Sequence, residues 1–258
     1  MSEIDHQHIV REEYDSRADA YLRSSVHAEG ADLQLIAEYL GRQPDAVVLD
    51  MGCGGGHVSF RLAPTVARVV ACDLAPKMLA TVAAEATRRG LTNIATQREA
   101  AETLSFPDAS FDAVATRFSA HHWRHMDEGI RQLHRVLKPG GRAAFVDTLA
   151  PADSLCDTWL QSIELLRDVS HVRNASLGEW VGRLDAAGFA LERVVTARLP
   201  LAFDAWVART QPPAAHIAAI RSLQETASAE VKTHFALMDD GSFTIDTAVL
   251  LATKRSAG

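Results

Sequence analysis

From Ala46 onward, short apolar and β-branched runs alternate with stretches whose apolar residues recur at helical spacing. That alternation predicts a parallel sheet with helices on both faces. The first run is Ala46 to Asp50, followed by a glycine loop and a helix through about Leu62, and Ala67 to Asp73 is a second short buried strand. Pro76 fits the first turn of a helix in which Met78, Leu79, Val82, Ala83 and Ala86 share a face, with Gly90 as its left-handed cap. Further strands are predicted at Asn93 to Arg98, Phe111 to Arg117 and Arg142 to Leu149, with a helix over Asp127 to Leu137.

Upstream, residues 5 to 22 and 31 to 40 read as helices, the second stopped by Gly41, and both are placed to lie across the ligand edge of the sheet. Downstream, Ser154 to Arg167 is helical, and Ser176-Leu-Gly-Glu179 has the spacing of a capping box opening a helix that Gly188 closes. A strand from Phe189 to Leu199, helices around Asp204 to Ser228 and a last strand from Ser242 to Lys254 complete the chain. With no repeats or linkers, the simplest count is one domain over 1–258. It divides into a helical lid (1–45), a ligand-binding core (46–150), and covering helices with the last two strands (151–258).

At 258 residues, 47% hydrophobic and 23% charged, the chain can bury an ample core without a metal or disulfide. No stretch approaches the ~18 continuous apolar residues of a membrane span. Cys53, Cys72 and Cys156 are widely spaced with no C-x-x-C pair, which predicts reduced thiols. A net charge of −7 opposes binding to a phosphate backbone, so neither nucleic acid nor membrane is an expected partner. The polar, acidic N-terminus has no signal or transit pattern, and the expected location is cytoplasmic. A homodimer is compatible with the sequence but not inferable from it.

In Val48-Leu-Asp50-Met-Gly52-Cys-Gly54-Gly55-Gly56-His57, an acidic residue closes a strand and a glycine loop opens a helix. Glycines let backbone approach a ligand, and a helix start offers free N–H groups. A dinucleotide loop of the form G-x-G-x-x-G would carry a third glycine where His57 stands, and it has no use for a carboxylate at Asp50. Loop N–H groups beside a carboxylate suit an amino-acid zwitterion instead. Asp73 ends the next strand, where an acidic side chain hydrogen-bonds ribose hydroxyls; its other reading is a cap for the helix at Pro76.

Four stretches, VLDMGCGGG at 48–56, ACDLAPKML at 71–79, AAETLSFPDASFD at 100–112 and LHRVLKPGGRAAFVD at 133–147, make the chain resemble the class I S-adenosylmethionine-dependent methyltransferases. The resemblance spans residues 46–150 and is closest to the ubiquinone/menaquinone C-methyltransferase group. It implies a doubly wound, Rossmann-like α/β fold: a seven-stranded, mostly parallel sheet with the last strand antiparallel, and helical insertions covering the acceptor side. It also implies that S-adenosylmethionine is the cofactor, S-adenosylhomocysteine the product and a small molecule the methyl acceptor. By the same resemblance Asp50, Gly52, Gly54 and Gly56 hold the methionine end, Asp73 the ribose, and Met78 packs on the adenine. Ala101 and Glu102 lie in the adenine-contacting segment, and Arg117 neighbours the methionine moiety. The family often has Asp where Ala100 stands; Glu99 or a backbone contact would have to serve instead.

The N-terminal segment looks like the family's lid, with Tyr14 and Tyr21 seven apart on one helical face over the sulfonium region or, equally, packed into the core. Beyond the fourth strand comes His121-His122-Trp123-Arg124-His125. His121 and His125 are spaced to share a helix face, but no H-E-x-x-H or carboxylate pattern accompanies them, and no metal is expected. They are either ordinary loop and cap histidines or contacts and general bases for the substrate, since ligands bind beyond the carboxyl ends of such strands. His121, His122 and, in the segment Arg167 to Arg173, His171 are the catalytic candidates. Sulfonium is a good leaving group, so alignment and desolvation with at most one base would suffice for in-line methyl transfer. Two rivals stand beside this reading. One is a nicotinamide-dependent oxidoreductase, opposed by His57 and Asp50; the other is a non-catalytic S-adenosylmethionine-binding protein.

Overall fold

A computed structural model describes residues 5–15, 30–41 and 43–255, so Tyr21 lies outside the described residues. The strands are β1 (Gln43–Met51), β2 (Val66–Asp73), β3 (Ile94–Arg98), β4 (Phe111–Arg117), β5 (Leu137–Leu149), β6 (Phe189–Leu201) and β7 (Phe243–Lys254). They form one sheet in the order β3-β2-β1-β4-β5-β7-β6. Neighbours among β1 to β5 pair parallel, whereas β7 runs antiparallel to both β5 and β6. Six strands thus run one way and the last the other, as the sequence predicted.

Ten helices are described: α1 (His6–Asp15), α2 (Ala31–Leu40), α3 (His57–Leu62), α4 (Pro76–Arg88), α5 (Met126–Val136), α6 (Ser154–Arg167), α7 (Leu177–Ala186), α8 (Phe203–Thr210), α9 (Ala214–Glu225) and α10 (Ala229–His234). The apolar stripes of α5 and α7 bury Ile130, Leu133, Trp180 and Leu184 against Leu49, Val114 and Phe145 on one face of the sheet. On the other face Leu33, Ile36 and Leu40 of α2 and Val58 and Leu62 of α3 pack on Val48, Val69 and Ala144. Both faces being covered is why β1, β2 and β4 read as unbroken apolar runs. A separate cluster of Trp159, Phe203, Trp206, Phe235 and Phe243 holds α6 to the C-terminal helices. Each large side chain so buried contributes roughly 1.5–3 kcal/mol.

Local signals set several ends. Ser176 accepts from Glu179 N and the Glu179 carboxylate accepts from Ser176 N, both halves of the predicted capping box. Gly90 and Gly188 take φ +71° and +93°, as the caps required. Gly41 differs: it stops α2 in an extended conformation, and an added Cβ there would lie 2.3 Å from the Ala37 carbonyl. The shared helix face expected for His121 and His125 does not form, because Ala120–His122 is a 3-10 turn and α5 begins only at Met126.

Strand β1 has β2 on one side and β4 on the other. The winding reverses there, which leaves a crevice outside the carboxyl ends of the strands. Met51, Asp73, Arg117 and Leu149 all end at that edge.

Candidate active site

The crevice contains a cavity of about 930 Å³ lined by Asp50, Gly52, Gly54, His57, Asp73, Ala101, Glu102, Arg117, Phe118, His122 and Trp123, among others, and closed by His6, Gln7, Val10 and Tyr14 of α1. Gly52, Gly54 and Gly56 all have positive φ. At Gly52 a Cβ would meet Ser119 Oγ at 1.9 Å, whereas at Gly54 (φ +47°) it would meet nothing within 4 Å. The first glycine lets two loops touch, and the second leaves its space to the cavity. Gly56 lies behind the loop, against Phe60 and Val82, and does not line the cavity.

Asp50 is 1% exposed, and its Oδ2 accepts from Ser59 N (3.0 Å) and Ser59 Oγ (2.6 Å). Burial pushes its carboxyl up to about 6 against those two hydrogen bonds. A cation beside it would restore the carboxylate, which is what an ammonium group supplies. Asp73 also has a raised pKa, again chiefly from burial; its Oδ2 accepts from Gly54 N and its Oδ1 from Ala75 N, both at 2.9 Å. The two readings of Asp73 are therefore compatible: it ties the glycine loop to the start of α4 and still lines the cavity.

Met78 is fully buried, packed with Ala75 and Tyr14 below the cavity and outside its lining. Arg117 is clamped by Asp32 through Nε (2.5 Å) and a second nitrogen (3.2 Å). Glu102 accepts from His125 N at 3.3 Å, and Glu99 turns both carboxylate oxygens to Ser105.

A second chamber of about 580 Å³ shares Tyr14 and Phe118 with the first. Its further lining is His121, Thr148, Glu164, Arg167, Asn174 and Arg209, with Leu199, Leu201, Trp206 and Ile245 as the apolar groups. Phe118 has φ +51°, a left-handed conformation costing roughly 1–2 kcal/mol in a side chain of this size, and it turns the chain off β4 between the two spaces.

The three histidines converge: ring centres lie 4.2 Å apart for His121 and His122, 5.7 Å for His121 and His171, and 6.4 Å for His122 and His171. Their partners differ. His121 lies 2.5 Å through Nδ1 from Asp147 Oδ1, and among the described residues its Nε2 has no hydrogen-bond partner. Burial works against charge on this ring, but the Asp147 carboxylate outweighs it, and the pKa is raised. His122 has both nitrogens engaged, Nδ1 with Ser170 O (3.1 Å) and Nε2 with Tyr14 Oη (2.6 Å). Burial, then repulsion from His121, holds it well below the usual imidazole range. A neutral ring that donates from Nδ1 to the Ser170 carbonyl accepts the Tyr14 proton at Nε2. His171 bonds Gln161 Oε1 through Nε2 (2.8 Å), is pushed down to about 3 by burial and by His121, and lines neither chamber.

Sequence reasoning missed Asp147 as the partner of His121 and most of the lining of the second chamber, while Phe118 stands at the pocket rim where the resemblance placed it. Asp147 carried a signal, as an acidic residue inside the apolar run of β5 at the ligand edge.

A glycine loop between two carboxylates, on a sheet of this strand order, defines a Rossmann-like domain for a nucleoside bearing an amino acid. Residues 49–145 match the methyltransferase domain family. The chain is 45% identical to the uncharacterized protein YafE of Escherichia coli K12 over 79% of its own length and 98% of YafE. It is 34% identical to the uncharacterized methyltransferase YcgJ of Bacillus subtilis over 87% of its length and 88% of that protein. The crystal structure of YcgJ superposes with a TM-score of 0.84, covering 88% of this chain and 99% of YcgJ. A ubiquinone/menaquinone biosynthesis C-methyltransferase of Brucella anthropi shares 30% identity over 59% of this chain and 60% of that protein. The chain belongs to the S-adenosylmethionine-dependent methyltransferases. Among the described residues, no helix is long and apolar enough to cross a membrane.

Proposed function

We propose that the chain methylates a small molecule held in the second chamber and that His121, oriented by Asp147, takes the acceptor's proton. The observation that carries this reading is the pairing of two chambers through Tyr14 and Phe118, with His121 lining the second and bonded to Asp147 through the nitrogen it does not need. S-adenosylmethionine, when bound, supplies an electrophilic methyl group on a sulfonium. Asp50 and the glycine loop would hold its amino-acid end, Asp73 its ribose, and Ala101 and Glu102 the wall beside its base. Helix α1 covers the cavity through Val10 and Tyr14 and so keeps water from the reacting atoms. His121 Nε2 accepts the proton from the acceptor's O–H, N–H or S–H, and the charge left on the ring is met by Asp147.

His122 and His171 act differently in this reading. With both His122 nitrogens committed to Ser170 and Tyr14, that ring positions the lid; His171, bonded to Gln161, braces the turn behind it. Residues 1–45, 46–150 and 151–258 would then work as lid, donor site and acceptor cover of one unit. The test is a methyl-transfer screen with labelled S-adenosylmethionine over phenols, thiols, amines and enolisable carbonyl compounds, run on the parent and on His121→Gln. Transfer to one class that the variant loses, with cofactor affinity unchanged, supports the reading. Cofactor binding with no transfer to any class would instead favour a binding protein without catalysis.

A further inference from the structure

Besides His121 Nε2, the second chamber is lined by a residue whose buried amide nitrogen is unmatched. Asn174 is 2% exposed and lines the chamber, and its Nδ2 is buried with no hydrogen-bond partner among the described residues. A buried donor left unmatched is costly, so native structures rarely keep one without a use. The backbone around it is fixed. Asn174 N donates to Gln161 Oε1 and Asn174 O accepts from Gln161 Nε2, both at 3.0 Å, so α6 holds the residue from two sides. With both backbone groups taken, the carboxamide is what Asn174 has left to offer the chamber.

The same segment is tied to the candidate base. Val172 N and Arg173 N both donate to the His121 carbonyl, at 2.9 and 3.2 Å, which puts Asn174 one residue beyond the contact. Leu199, Leu201, Trp206 and Ile245 supply apolar lining from other elements. Nδ2 is itself shielded from the chamber, and rotation about the broad terminal torsion of the Asn side chain would turn it toward a bound molecule.

We infer that Asn174 determines acceptor specificity: it donates a hydrogen bond to a carbonyl-type oxygen on an acceptor whose nucleophilic atom faces His121. The substrate class is a small molecule with a proton-bearing nucleophile and a separate oxygen that accepts a hydrogen bond. This inference rests on the second chamber being the acceptor site. A molecule of the same shape with a methylene in place of the carbonyl leaves the donor as unmatched as before, and selection follows from that difference.

The test is a binding comparison that needs no turnover. The protein loaded with S-adenosylhomocysteine is titrated by calorimetry with 3′- and 4′-hydroxyacetophenone, each against the ethylphenol of the same substitution pattern. The parent is expected to bind at least one acetyl compound about tenfold more tightly than its ethyl counterpart. Asn174→Leu, close in shape, is expected to bring the two affinities together, and Asn174→Asp to reverse the order because a carboxylate repels a carbonyl oxygen. Equal binding of both pairs by the parent, or a preference that survives in the folded Leu variant, overturns the inference. A preference observed in a protein that transfers no methyl group would leave Asn174 standing and remove the catalytic reading instead.

Discussion

Tyr14 Oη lies 2.6 Å from His122 Nε2, which joins helix α1 to the turn after β4 across 108 positions of sequence. His6 Nε2, on the same helix, reaches Ser170 O at 3.0 Å, and Ser170 in turn faces His122 Nδ1. One side of the lid is therefore fastened to the wall between the two chambers.

Tyr14→Phe keeps the ring and removes the hydroxyl, leaving His122 Nε2 buried and unmatched. A loss of about 1–3 kcal/mol is expected, read as a lower midpoint in urea, together with weaker binding of S-adenosylhomocysteine by calorimetry. A variant equal to the parent in both would show that the lid is held elsewhere.

His121→Gln is expected to slow transfer by on the order of 10² to 10⁴ while cofactor affinity stays near the parent's, because only a transition-state interaction is lost. The base must be neutral, and its pKa is raised, so the rate should fall as pH drops through a value above the ordinary imidazole range. Asp147→Asn removes the group that raises it and should move that acidic limb to lower pH. The sign for stability is the opposite one. The His121–Asp147 pair contributes fully below the unfolded imidazole pKa of about 6.5, and its contribution fades as pH rises through the raised folded value.

Cofactor affinity should itself depend on pH through Asp50. Its carboxyl sits at about 6, and it must lose its proton to face an ammonium group. Below that value the dissociation constant should rise about tenfold per pH unit, and above it the profile should flatten. Calorimetry in buffers of different ionisation enthalpy would register a proton released on binding at pH 5; none released would mean that Asp50 does not meet the cation.

Asp73→Ala removes hydrogen bonds to Gly54 and Ala75 as well as any to a ribose, and affinity should fall roughly ten- to a hundredfold. Gly54→Ala asks an L side chain to hold φ +47° but meets no protein atom. Its cost to folding should be near 1 kcal/mol, with a larger loss in cofactor binding because the methyl group enters the cavity. Were the Ala variant to bind normally, the glycine loop would be only a turn.

The donor half was legible in the sequence because its signals are local. Asp50, the glycine loop and Asp73 lie at ends of strands whose apolar runs announce them, and Ser176 and Glu179 meet across three positions. Apart from His121, the second chamber was not legible because its lining comes from distant parts of the chain. Asn174, Leu199, Trp206 and Ile245 share a chamber through tertiary packing alone, and no spacing connects Tyr14 to His122. The 3-10 turn at Ala120 carries no periodicity that distinguishes it from a longer helix, so His121 and His125 seemed to share a face that the chain never forms. Six-residue α10 escaped for a related reason, being too short to show an apolar stripe.

Among the described residues, strand β6 pairs only with β7, which follows it in sequence. Synthesis runs from the N-terminal side, so β1 to β5 can assemble while β6 still has no neighbour. Leu199 of β6 and Ile245 of β7 are partners across that pairing, and Leu201 lies opposite Phe243. The order of translation is thereby written into the sheet: the strands that carry the glycine loop leave the ribosome before the strand that completes the lining of the second chamber.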